Sequence, residues 1–306
     1  MNTDLVAQQR RADLFGLSAV LCWSTVATAF KLSLEYFSPA QLVLSASLVS
    51  WIFLGGLLLK RGQLRRTLGL FRTHGRASLL LGALNPTLYY LLLFHAYDRL
   101  PAQEAQALNY TWALTLTLLA VPLLGHRLRL AEALAALVCY SGVLVIATRG
   151  ELLALQFDSL SGVLLALAST LIWALYWIYN ARDSREPVAS LFMNLSVAIL
   201  LLVGYCALTD ELQHWDLRGL WGAGYIGLFE MGLSFVFWLL AMKLTLSTAR
   251  IANLIFIAPL LSLLLISTVL GEEILDSTLA GLGLILAGLA LQRLGRGQPA
   301  PPAPNS

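Results

Sequence analysis

Apolar residues run in long blocks at 13–32, 38–59, 76–97, 102–123, 131–149, 159–181, 186–208, 217–240, 245–270 and 275–294. A helix needs about 20 apolar residues to cross the hydrocarbon core of a bilayer, so each block is read as a transmembrane helix. Membrane barrels instead show ~10-residue segments of strict alternation. Runs such as Leu91-Leu92-Leu93 and Leu263-Leu264-Leu265 do not alternate. The blocks are separated by helix-start and turn signals: Ser38-Pro39, Leu100-Pro101, Glu186-Pro187 and Gly271-Glu272-Glu273. The polar amino terminus leads into the first block without an evident cleavage site, so no removed signal peptide is read. The proline-rich residues 295–306 are expected to form a disordered tail.

Composition agrees with this pattern. Of 306 residues, 58% are apolar and 12% charged, and the mean hydropathy is +0.75. A soluble domain carries about 25% charged residues, so this chain cannot cover a water-facing surface and leaves no room for a separate soluble domain. The net charge of +3 reflects how cations are sorted across a membrane and does not imply a nucleic-acid partner. With a cytoplasmic amino terminus, fifteen of the twenty cations fall on the cytoplasmic side. They are Arg10, Arg11, Lys60, Arg61, Arg65, Arg66, Arg72, Arg76, Arg127, Arg129, Arg182, Arg185, Lys243, Arg293 and Arg296. Lys31, Arg99, Arg149, Arg218 and Arg250 are left outside or near helix ends, while Asp210, Glu211, Asp216, Glu272, Glu273 and Asp276 collect on the opposite side. Both termini are therefore expected on the cytoplasmic side of the membrane.

The second half repeats the first. A shift of 144 superposes Leu100 on Leu244, Ala105 on Ala249, Asn109 on Asn253 and Trp112 on Phe256. Each copy then reaches a proline, Pro122 or Pro259, and a glycine, Gly125 or Gly271. The first helix of each copy carries Trp23 or Trp173, followed by Lys31 or Arg182. A five-helix unit has an odd number of crossings, so successive units sit with opposite orientation. The expected fold is an all-α integral membrane protein with ten transmembrane helices in two inverted five-helix repeats, 13–149 and 159–294. Inverted repeats of this kind are a recurring plan of secondary transporters.

With these residues, the Ala-rich start of the fourth helix and the Gly-Glu turn of the second half, the chain resembles the EamA-type branch of the drug/metabolite transporter superfamily. The NPTLYY and ALNYTW runs further resemble the bacterial aromatic amino-acid exporters of that branch. The first copy has Gly125-His126 where the second has Gly271-Glu272, a departure from exact repetition. The resemblance implies a basket in which helices 1, 3, 4, 6, 8 and 9 line a central cavity and helices 5 and 10 lie peripherally. It also implies a secondary transporter exporting small amphipathic metabolites, aromatic amino acids in particular, by alternating access. A multidrug or other metabolite exporter of the same fold is the alternative.

Glu230 in YIGLFEMGLSF is the most informative residue. A charge at the bilayer centre costs ~2.5–3.5 kcal/mol on insertion scales, so such a group faces a cavity or an internal partner. It either meets a substrate ammonium group, acts as a titratable relay, or is a protonated acid bonded between helices. Its repeat counterpart is Asn85, where Asn85-Pro86 frees a backbone carbonyl. Asn109 and Asn253 form a second pair, with donors and an acceptor suited to a zwitterion or to interhelical bonds. Tyr89, Tyr90, Trp112, Trp173, Tyr176 and Phe256 complete the candidate substrate site, with Tyr110 and Trp177 nearby; rings stack planar cargo, although Trp23 and Trp177 also read as interface anchors.

Other signals are weak. Gly222, Gly224 and Gly227 match GxGxxG, but no strand precedes them and close helix packing is expected. His74, His95, His126 and His214 have no metal-ligand spacing, and Cys22, Cys139 and Cys206 are isolated packing residues, so no metal or cofactor is expected. A polytopic membrane enzyme is disfavoured by the lack of HExxH or another catalytic pair at depth, and no Walker A sequence supports an ATP-driven pump. Small residues Gly281, Gly283 and Gly288, with Ala131, Ala135 and Cys139, are expected to serve helix contact or dimerisation, so the chain is read as a monomer or a homodimer through helices 5 and 10. In a background lacking the native cysteines, cysteines at Gln63 and Ser184 should resist an impermeant thiol reagent in intact cells, and one at Gln213 should react. The reverse labelling pattern would overturn the orientation.

Overall fold

The computed structural model describes residues 3–125, 130–151, 159–213, 215–246, 250–251 and 254–295. Asn253, Arg127, Arg129, Arg296, His126, His214, Ala249 and most of the proline-rich tail lie outside these residues. Among the described residues the regular structure is entirely helical. Eight helices are long and apolar enough to cross a membrane. They are α1 (Thr3–Leu34), α2 (Pro39–Lys60), α3 (Phe71–Arg99), α4 (Ala102–Leu124), α5 (Leu130–Ala147), α6 (Leu160–Asn180), α7 (Pro187–Leu208) and α8 (Gly219–Leu244). Two shorter apolar helices follow, α9 (Ile257–Leu270) and α10 (Asp276–Gly295).

Local chemistry fixes the helix starts. Ser38 accepts from Gln41 N while the Gln41 side chain accepts from Ser38 N, a reciprocal cap with Pro39 in the first turn. The Glu186 carboxylate accepts from Ala189 N ahead of Pro187, and Ser159 accepts from Gly162 N. Helix α1 begins ten residues before its apolar block. Its polar first turns are held to the end of α8, because Gln8 donates to the Leu244 carbonyl and Gln9 accepts from Leu246 N. A short helix, Leu64–Gly69, stands in the basic α2–α3 connection, where the sequence suggested only a loop.

The long helices are not uniform. Asn85 interrupts α3 with φ −142° and ψ 122°, and the Asn85-Pro86 peptide is cis. A π-helical stretch, Ile226–Leu233, interrupts α8. A turn at Tyr110 and Thr111 divides α4, and Ile255 and Phe256 form a turn before α9. Both Gly125 (φ 69°) and Gly271 (φ 68°) adopt the left-handed conformation that closes a helix.

Helices α5 and α10 pack through their small residues. A Cβ on Gly142 would lie 2.5 Å from the Gly281 carbonyl oxygen, and one on Gly281 would lie 2.7 Å from that of Gly142. Backbones this close gain dispersion contacts that larger side chains would prevent. Of the two roles expected for these small residues, helix contact and dimerisation, contact within the chain is seen at Gly142, Gly281 and Gly288 against Ala135 and Cys139. Of the GxGxxG glycines, Gly222 packs against Ser33 and Gly227 against the Ala46 carbonyl, while Gly224 faces open space.

At the end bearing the basic α2–α3 connection, Arg185 is buried. It donates to Asp183 (2.7 Å), to Ser78 Oγ (2.5 Å) and to Asn194 Oδ1 (3.2 Å), fastening the α6–α7 connection to α3 and α7. Ser190 adds a 2.5 Å bond to Asp183. Burial alone would push the Asp183 carboxyl up, but the hydrogen bonds from Arg185 and Ser190 prevail and hold it at about 2. A depressed carboxylate contributes stability that is complete above its ordinary value of 3.8 and fades as pH falls through about 2. Arg185→Met should lower stability by ~3 kcal/mol or more at neutral pH, because Asp183 stays charged without its partner. Thermal unfolding in detergent should show that deficit shrinking in acid; a pH-independent deficit would refute the role of charge.

Candidate functional site

The breaks in α3 and α8 free backbone carbonyls that need donors away from water. Thr87 Oγ1 donates to the Gly82 carbonyl (2.9 Å), Ser234 Oγ to that of Glu230 (2.6 Å) and Ser50 Oγ to that of Met231 (3.0 Å). Between the two breaks, the Tyr90 hydroxyl donates to Glu230 Oε1 at 2.8 Å. Glu230 Oε2 is buried with no partner among the described residues.

Glu230 lines a central cavity of about 1380 Å³ that reaches from Phe30, Tyr97 and Gln106 to Leu124 and Arg182. Rings dominate its walls. Trp173 stacks on Tyr89 with centroids 4.4 Å apart and meets Trp112 edge-on at 6.5 Å. Trp177 meets Trp173 edge-on at 5.8 Å. Across the cavity, Trp23 packs on Trp238 (5.2 Å) and Phe235 (6.4 Å). Such pairs favour tilted and offset geometry, which leaves ring faces able to hold a planar guest.

The expected residues divide. Glu230, Asn109, Tyr89, Trp112 and Trp173 line the cavity. Tyr90 and Tyr176 are buried behind it, Tyr90 holding Glu230 and Tyr176 stacked on Trp173 at 5.6 Å. Asn85 borders a separate small void with Pro86, Tyr90 and Asn194, so its side chain is a neighbour of the site and not part of its wall. Phe256 packs against the core beside the turn before α9 and is not among the lining residues. Asn109 is engaged within the chain, accepting from Tyr89 (3.4 Å) and donating to Ser169 (3.3 Å). Trp23 and Trp177, which also read as interface anchors, are cavity walls. Glu132 of α5 and Gln292 of α10 reach the cavity as well, so these helices are not wholly peripheral. Gln292 bonds Thr117 of α4.

The cavity is closed at the end where Glu211, Asp216 and Glu272 gather. Lys31 Nζ donates to the Tyr97 (2.6 Å) and Leu100 (2.8 Å) carbonyls, placing a cation at the C-terminus of α3. Glu272 accepts from Ala102 N (2.9 Å) and Gln103 N (3.3 Å), placing an anion at the N-terminus of α4. Gln103 is further bonded to the Glu273 carbonyl and to Leu275 N. At the other end the cavity runs to exposed Leu124 and Arg182.

A multi-pass helical membrane protein with a one-sided, ring-lined cavity and a carboxylate at depth has the architecture of a small-molecule transporter. Residues 10–148 and 160–293 each match the EamA-like transporter family, and the chain belongs to it. It is 28% identical over 294 residues to the aromatic amino acid exporter YddG of Ancylobacter novellus, covering 92% of this chain and 97% of that protein. It is 27% identical to the uncharacterized transporter YvbV of Bacillus subtilis, covering 68% of each. A solved structure superposes with a TM-score of 0.64 at 25% identity, covering 92% of this chain and 96% of the other.

Proposed function

We propose that the chain is a secondary exporter of small amphipathic metabolites, aromatic amino acids first among them, working by alternating access across a bacterial inner membrane. The observation that carries this reading is Glu230 beside a wall of stacked rings, at the break in α8. Rings hold a planar side chain, and the carboxylate meets an ammonium group or relays a proton. The printed name of the Ancylobacter relative supports the choice of cargo. A multidrug or other metabolite carrier is the alternative within the same fold.

The architecture under this proposal is ten crossings in two inverted five-helix repeats, 13–149 and 159–294, with both termini cytoplasmic. Its support is that the irregularities recur. The break at Asn85 corresponds to the stretch around Glu230, the turn at Tyr110 and Thr111 to that at Ile255 and Phe256, and the left-handed Gly125 to Gly271. The described form is then open to the cytoplasm and closed outside by Lys31 and Glu272.

Counterflow in proteoliposomes tests the cargo. Trp112→Ala should weaken Phe and Trp exchange by about 0.5–1.5 kcal/mol more than exchange of a small aliphatic amino acid. An equal loss for all substrates would assign Trp112 to folding. The outer closure has its own test. With a cysteine at Ala27 in the deep cavity, Glu272→Gln or Lys31→Met should raise its labelling from outside by about tenfold, the effect of losing one charge-assisted bond. Unchanged labelling would mean that these residues do not hold the outer side shut.

A further inference from the structure

The charge inside the cavity is one-sided. Glu230 is its deep ionisable wall residue, with Oε1 held by Tyr90 and Oε2 unpartnered. A second buried acceptor, Gln106 Oε1, also has no partner among the described residues, against one such donor in the wall, Trp177 Nε1. Arg182, the one cation among the described lining residues, lies at the exposed mouth. Lys31, near the closed end, is committed to the Tyr97 and Leu100 carbonyls. Asn109, the amide best placed to receive a carboxylate, already donates to Ser169.

A guest ammonium therefore finds a carboxylate, a free amide acceptor and ring faces that attract cations. A guest carboxylate finds no counter-charge at depth. In an α-amino acid the carboxylate is attached to the carbon that bears the ammonium, so it is carried close to Glu230 and repelled in a medium of reduced dielectric. We propose that this cavity selects aromatic monoammonium cargo, and that the carboxylate of an aromatic amino acid hinders binding. Arylalkylamines, with ring and ammonium but no carboxylate, are its best-matched substrates. This rests on the export reading above, and within it ranks aromatic amines ahead of the aromatic amino acids.

The test is equilibrium binding to the purified full-length chain in detergent, with radiolabelled tryptamine and, in parallel, radiolabelled Trp as tracers, each competed by unlabelled tryptamine, Trp, the neutral alcohol indole-3-ethanol and indole-3-propionate. Tryptamine should bind about tenfold more tightly than Trp, and indole-3-propionate should be the weakest competitor. Glu230→Gln should weaken tryptamine by about tenfold or more and leave the neutral alcohol within about twofold. That unchanged alcohol reports an intact cavity in the variant. If Trp binds and is exchanged in proteoliposomes while tryptamine competes no better than indole-3-propionate, the amine preference is wrong and the export reading stands. Parallel loss of amine and alcohol in Glu230→Gln would also overturn it, because Glu230 would then be holding the fold. If none of the four compounds binds, both readings fall together.

Discussion

The structure depends on one constraint: at membrane depth there is no water to answer a polar group that the chain leaves open. A continuous helix meets that constraint by itself, and α2 and α7 do so. Helices α3 and α8 give up regular bonding at Asn85 and at Ile226–Leu233. Thr87, Ser50 and Ser234 then supply hydroxyl donors to the carbonyls of Gly82, Met231 and Glu230. With the backbone answered locally, the Tyr90 hydroxyl is left for the Glu230 carboxylate. A site for polar cargo can exist in the bundle because nearby side chains already bear the cost of its irregular backbone.

The same rule accounts for the difference between the two ends. At the closed end, buried helix termini are met by full charges, Lys31 on the carbonyls ending α3 and Glu272 on the amides opening α4. At the opposite end the corresponding groups after α8 are met by neutral amides, Gln8 on the Leu244 carbonyl and Gln9 on Leu246 N. Charge-assisted bonds are roughly twice as strong as neutral ones. The α3–α4 corner is thus tied more firmly than the corresponding chain after α8, while the basic end has its own charged anchor at Arg185.

Much of this was legible in the chain because membrane helices write themselves as apolar blocks. The span limits agree within a few residues except where polar chain stays helical, as in the first turns of α1, and in the block 245–270, where the turn at Ile255 and Phe256 precedes α9. Glu230 stood out because an isolated acid at depth needs a reason. Trp177 did not, since a tryptophan near a helix end has the same local context at a lipid interface as at a cavity mouth. Gln106, Glu132 and Gln292 were illegible for a different reason. They lie near helix ends in sequence and converge on the cavity only through the packing of α4, α5 and α10. The Glu272 bonds to α4 span some 170 residues of chain, a separation over which no local pattern reports.

The second half of α3 joins these features mechanically. Tyr89–Arg99 is one uninterrupted α-helix. Near its start Tyr90 is bonded to Glu230, and near its end the Tyr97 and Leu100 carbonyls are bonded to Lys31. The Asn85 break at its head separates it from Phe71–Gly82, which is anchored to α7 through Ser78 and Arg185. A ligand shifts a conformational equilibrium only through contacts that differ between the states. An ammonium group at the unpartnered Oε2 would share the Glu230 carboxylate with Tyr90 at Oε1, and Tyr90 sits on the segment whose far end is bonded to Lys31. The Glu230 contact and the Lys31 contact are therefore joined through one continuous helical segment, set off from the rest of α3 at Asn85.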